Sequence, residues 1–322
     1  MKKMVNTTTI EGILYQHNLE LKTSGENSKN PGTQYIAGTI EIATDDAGLN
    51  IVPVHYTYVT PTTSKGNNNQ TYTILKNILD GVYGTKMKDG ADKALKLHVD
   101  SSIALNEFYS DRNGTEELVS VKRNEGGFIR ILDQITSDED KRSTFKADIV
   151  LTKLRRLEAD PDRELPEKMI LDGAIFNFRG DLLPVSFSAE SPAAMDYFES
   201  FGISPTSPLF TCVWGRQIST TTTRKIVEDS AFGEANVREV QSTRKDFIIT
   251  GAAPAPYDWD DESTITAQEL KEAAANREVA LATMKKNQEE YRARRKGASA
   301  VSNEGFDFEL KYKGALIWLL IC

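Results

Sequence analysis

Aromatic rings and cationic side chains recur along this chain in close company. Together they can hold an unpaired polynucleotide, a base stacking on a ring while Lys or Arg meets the phosphate beside it. In the first half the rings are Tyr35, Tyr56, Tyr58 and Phe128, and the cations are Lys122, Arg123 and Arg130. In the second half Arg155 and Arg156 open the mixture, Phe178 precedes Arg179, and Trp214 stands beside Gly215 and Arg216. Arg224, Lys225, Arg244 and Lys245 complete the set. A stacked base contributes about 1–3 kcal/mol, so a few such rings suffice. The ordinary reading of each residue competes: strand aromatics pack across strands, and paired basic residues are commonly solvated. An arginine flanked by acids, such as Arg163 in EADPDRELPE, is spent on its neighbours.

Nothing in the chain spells catalysis. There is no P-loop, no glycine fingerprint after a strand, no HExxH, no GxSxG and no cysteine with a histidine partner. Acidic runs such as Asp45–Asp46, Asp138–Asp140 and residues 260–262 fall in loop-like sequence, whereas a two-metal nuclease gathers carboxylates from separate elements. Cys212 and Cys322 cannot build a disulfide framework or a zinc site, and His17, His55 and His98 have no ligand spacing. The expectation is a non-enzyme with no metal and no cofactor, in a reducing, cytoplasmic compartment. A net charge of -8 excludes a surface that is cationic throughout but leaves room for a local basic groove. The apolar end ALIWLLIC is far shorter than the roughly 20 residues of a membrane span.

The elements that must position these residues are mostly strands. QYIAGTIEIA puts Ile36, Gly38, Ile40 and Ile42 on one face, and the arm after DDAGLN puts Val52, Val54, Tyr56 and Tyr58 together, which predicts a hairpin. A strand over TTTIEGILYQHNLELKT precedes it. A helix over YTILKNILDGVY follows, with Ile74, Leu75, Ile78, Leu79 and Val82 at helical spacing. Strands over KLHVDSSIALNEFYS and ELVSVKRNEGGFIRIL close the half. The second half repeats this order of three strands, a helix opened by Ser191 and Pro192, and two strands. The chain thus divides into 1–140, 141–256, an acidic linker 257–265, a helix 266–296 opened by the capping pair Thr266 and Glu269, and a flexible tail 297–322.

Five strands with a helix between the third and fourth is the order of the OB fold, whose second and third strands carry an oligonucleotide-binding face. Across residues 7–255 the chain resembles the tandem-OB single-stranded-DNA-binding and replication-associated proteins of bacteriophages. The fold class expected is mainly β with some α: two OB-like five-stranded barrels in tandem, then a long C-terminal helix. The resemblance implies a non-catalytic binder of single-stranded DNA, with RNA left open, serving DNA replication or recombination. A single-strand annealing mediator shares these features. A virion structural or assembly protein is the alternative class, and it expects homo-oligomers held through the stripe of the last helix, which Arg277 and Gln288 interrupt.

SNEGFDFEL sets Phe306, Asp307 and Phe308 among further acids, resembling the acidic tips by which bacterial single-stranded-DNA-binding proteins recruit replication and recombination enzymes. In that family the tip ends the chain. Here KYKGALIWLLIC follows it.

Overall fold

The computed structural model describes residues 4–26, 28–112, 115–160, 166–228, 232, 236–259 and 264–301. The chain forms two compact units. One holds the residues up to Glu107 together with Ser120–Asn276, and the other holds Phe108–Val119 with the described chain from Arg277 onward.

The first strands are β1 (Asn6–His17), a short β2 (Glu20–Thr23), β3 (Gln34–Ala43) and β4 (Ile51–Val59). Helices α1 (Gln70–Leu79) and α2 (Lys86–Asp89) precede β5 (Lys96–Arg112) and β6 (Thr115–Ile131). The later set is β7 (Ser143–Leu157), β8 (Lys168–Phe176), β9 (Leu182–Ala189), helix α3 (Pro192–Glu199), β10 (Leu209–Glu228) and β11 (Asn236–Ala252), followed by α4 (Ala267–Val301). The molecule is therefore mainly β, with a large sheet, some helices and a C-terminal helix.

The hydrogen-bond ladders run in circuits. β1 pairs antiparallel with β3, and β3 with β4; β4 pairs parallel with β6; β6 lies beside β5, and β5 returns antiparallel to β1. β7, β8, β9, β11 and β10 close on β7 in the same order, again with one parallel step between β9 and β11. The circuits are sewn together by β1 and β7, antiparallel from Asn6↔Ala147 to Ile10↔Ser143. Pairing the same strand of each circuit antiparallel is what a local two-fold axis produces. The long hairpins obey it: β5 sends Ile103 and Leu105 into the second core, while Asn50 after the β3–β4 turn bonds β10 at Gln217 and Ser219.

Alternation fills the interiors. Ile10, Leu14, Ile36, Ile40, Val54 and Tyr56 meet Ile74, Leu75 and Ile78 of α1 in the first core. Phe145, Phe187 and Phe247 cluster in the second, with ring centroids 4.9–5.8 Å apart. Asn69 caps α1, and Ser191 caps α3 before Pro192 as its sequence predicts.

Three expectations change. The first strand breaks at Asn18, whose amide and side chain are both taken by the Thr39 backbone, so β2 is a separate strand. Helix α1 stops at Leu79 because Gly81 turns to φ 74°, which leaves Val82 exposed rather than on the buried face. The segment read as a linker packs instead: Tyr257, Trp259 and Ile265 join Phe210, Val150 and Leu270 of α4 in a third cluster. No helix among the described residues is long and apolar enough to cross a membrane.

Candidate nucleic-acid interface

The hairpin β3–β4 shows how one extra residue decides which ring meets solvent. Between Ile36↔Val59 and Gly38↔Tyr56 strand β4 carries a residue more than β3, a bulge that reverses the side-chain alternation. Tyr56 therefore points inward and is closed to any base, and burial drives its phenol far above the ordinary range. Tyr58 points outward against Tyr35, with ring centroids 4.5 Å apart. The expectation that Tyr56 and Tyr58 share a face is thus corrected. Among the other rings Phe128 is 77% exposed and Phe178 86%. Phe178 sits on the β8–β9 turn that Asn177 organises by accepting the amides of Arg179 and Asp181, with the Arg179 guanidinium 5.2 Å from the Phe178 centroid.

Most of the expected cations are already engaged. Lys122 bonds the Ser186 carbonyl and lies 5.0 Å from the Phe247 centroid and 5.5 Å from that of Phe187. Burial pulls its amine down to about 8. It is a prop inside the second circuit and not a phosphate contact. Arg123 holds Glu125 at 2.8 Å, Arg130 holds Asp100 at 2.7 Å, and Arg155 grips Asp172 through two nitrogens at 2.7 and 3.0 Å. Arg156 bonds Glu167, Arg216 bonds Asp140, and Arg244 bonds Glu190. The Arg155 guanidinium holds the Asp172 carboxyl below its usual range, and at Glu125 the upward push of burial is outweighed by the Thr57 hydroxyl, Arg123 and His55 together, so that carboxyl is lowered too. Arg179 and Lys245 have no carboxylate partner among the described residues. The side chains of Arg224 and Lys225, and all of Phe306, Asp307 and Phe308, lie outside the described residues.

Trp214 lines a cleft on the outer face. The register places it opposite Lys146 on β7 and Gly251 on β11. The indole lies so close over Gly251 that a β-carbon there would sit 2.3 Å from its Nε1, so only glycine admits it. Trp214 stays 41% exposed above this cleft of about 590 Å³. Thr7 and Thr9 of β1, Thr144 and Lys146 of β7, and Arg216 of β10 line that cleft. Lys146 is exposed and has no carboxylate partner among the described residues. Arg216 Nε is buried without a partner.

Lys146 and the three threonines were not among the residues expected from sequence. The available signal was local: STFKADIV is an alternating strand whose outward positions include Thr144 and Lys146. What sequence could not supply was their neighbour.

The fold and this surface define a mainly β protein with paired five-strand circuits and a ring-and-cation cleft on their outer face. The YorF family model matches residues 4–287, and the chain belongs to that family. Among solved structures it is similar to a deletion mutant of the single-stranded DNA binding protein from Thermus aquaticus, at 12% identity and a TM-score of 0.44, over 81% of this chain and 98% of that one. No curated protein matches it.

Proposed function

We propose that the chain is a non-catalytic binder of single-stranded DNA, each circuit being an OB-type barrel. The order of pairings supports the fold reading. A five-stranded Greek-key barrel joins its first strand to the second and fourth and its third to the fifth, with a helix between third and fourth, and both circuits here follow that order once the short β2 is set aside.

The observation that carries the function is the cleft at Trp214: a half-open indole beside an unengaged lysine, with hydroxyls around them. A ring and a cation at that spacing suit a base and its phosphate, and a duplex keeps its bases out of reach of such a ring. Tyr35 with Tyr58, and Phe178 with Arg179, are further rings on the same molecule. The exposed arginine pairs do not oppose the reading, because a surface ion pair is worth about 0–1 kcal/mol and a phosphate can replace the carboxylate.

Fluorescence anisotropy of a labelled dT oligonucleotide at two salt concentrations tests it. The expected result is binding that weakens with salt, log K falling by about 0.7 per phosphate contact against log salt. Absence of binding at low salt overturns it.

A further inference from the structure

We infer that one nucleic-acid strand is held across the seam between the two circuits, perpendicular to the β-strands, on a track running from Phe128 to Trp214. The inference rests on the single-stranded reading above and adds where the strand lies.

Register supplies the track. Thr9 of β1 is paired with Asp100 of β5 on one side and Thr144 of β7 on the other, and Thr144 is paired with Arg216 of β10. The Leu132 amide bonds the Lys96 carbonyl, which sets Phe128 of β6 opposite Asp100. Phe128, Asp100, Thr9, Thr144 and Arg216 thus form one transverse row across five adjacent strands. Lys146 and Trp214 stand in the next row. Side-chain direction agrees: Ile10, Ile129, Phe145 and Val99 between these positions are buried, so the row itself faces out. Arg130 reaches Asp100 on the same face.

The row crosses four strand spacings of about 4.8 Å, or roughly 19 Å, from ring to ring. That distance suits a few nucleotides, and it is bridged by threonine hydroxyls and by Lys146. Neither circuit owns both ends. Phe128 belongs to the first and Trp214 to the second, so the β1–β7 pairing is what makes the site. The local two-fold is not obeyed in chemistry: the position equivalent to Trp214 is Asp100 and that equivalent to Lys146 is Thr9, so two like half-sites have become one polar track. Asp100 and Asp140 are the unfavourable charges on it. Each is held by an arginine, Arg130 and Arg216 respectively, which a phosphate would recruit.

The test is anisotropy with a labelled dT oligonucleotide of about 16 nucleotides, on the wild-type chain, Trp214→Ala, Trp214→Phe, Lys146→Ala, Phe128→Ala and, on the β3–β4 face, Tyr58→Ala. The track expects Trp214→Ala, Phe128→Ala and Lys146→Ala each to weaken binding by about fivefold or more, and Trp214→Phe to retain most of it. It also expects Asp140→Asn to tighten binding, since that change removes a negative charge and releases Arg216. Binding by the wild type that survives Trp214→Ala, Phe128→Ala and Lys146→Ala but falls with Tyr58→Ala overturns the track and leaves the single-stranded reading intact. A wild type that binds no oligonucleotide overturns the reading itself. Phe128 and Lys146 are exposed, so their variants keep the fold and decide the matter even should Trp214→Ala unfold.

Discussion

Lys122 spends its charge inside the protein. Its amine lies over the rings of Phe187 and Phe247 and gives a hydrogen bond to the Ser186 carbonyl, and burial draws it down to about 8 from an ordinary 10.5, with Asp246 opposing. Below pH 8 both folded and unfolded chains carry the proton, and the folded state bears the full cost of burying it. Between 8 and 10.5 the folded chain sheds the proton while the unfolded chain keeps it, so stability rises with pH. Lys122→Met keeps the stem and removes the titration. Denaturant unfolding of both chains at pH 7 and pH 10 is expected to move in the wild type's favour by about 2 kcal/mol over that interval. A pH-independent difference would mean the amine is solvated. Tyr56 and Tyr58 make the complementary point, since an inward ring and an outward one differ only by the side of a bulge on which each falls.

Helix α4 is held by local chemistry at its start and by backbone contacts further on. Thr266 Oγ1 accepts the Glu269 amide at 3.2 Å while the Glu269 carboxylate accepts the Thr266 amide at 3.0 Å, the reciprocal cap that its sequence predicts. Leu270 and Ala273 then pack with Ile265 and Phe210. Thr266→Ala is expected to cost about 1 kcal/mol in denaturant unfolding, with Thr266→Ser restoring most of it. In the second compact unit Gln288 bonds the Tyr109 backbone both ways, at 2.6 and 3.1 Å, and Arg292 meets Glu116 at 2.8 Å. The glutamine that breaks the helix stripe is thus a polar clasp on the β5–β6 hairpin tip. Gln288→Leu would improve the stripe and lose the clasp. Faster amide exchange at Tyr109 is the expected signature, and unchanged protection there would remove that role.

At the level of the molecule, the two circuits are joined by pairings between residues remote in sequence. Asn50 donates to the Gln217 carbonyl at 3.3 Å and accepts the Ser219 amide at 2.6 Å, and Asn124 donates to the Gln217 side chain at 2.9 Å. Asn50→Ala leaves the Ser219 amide without its acceptor and is expected to cost about 1–3 kcal/mol, as one cooperative transition rather than two, since the joined parts of both circuits lie in one compact unit. Two separate transitions by differential calorimetry would contradict that coupling. The order of elements along the chain, the β3–β4 hairpin, the caps at Ser191 and Thr266, and the helix after residue 266 were legible in the sequence, because alternation and capping act over a few neighbours. Which rings reach water was not. A single added residue in β4 turns Tyr58 out and Tyr56 in, acids distant in sequence occupy Arg130, Arg155 and Arg216, and Lys146 comes to stand beside Trp214 only when β10 closes on β7. Those outcomes depend on pairings between distant strands, which no local pattern encodes, and tertiary structure alone decided them.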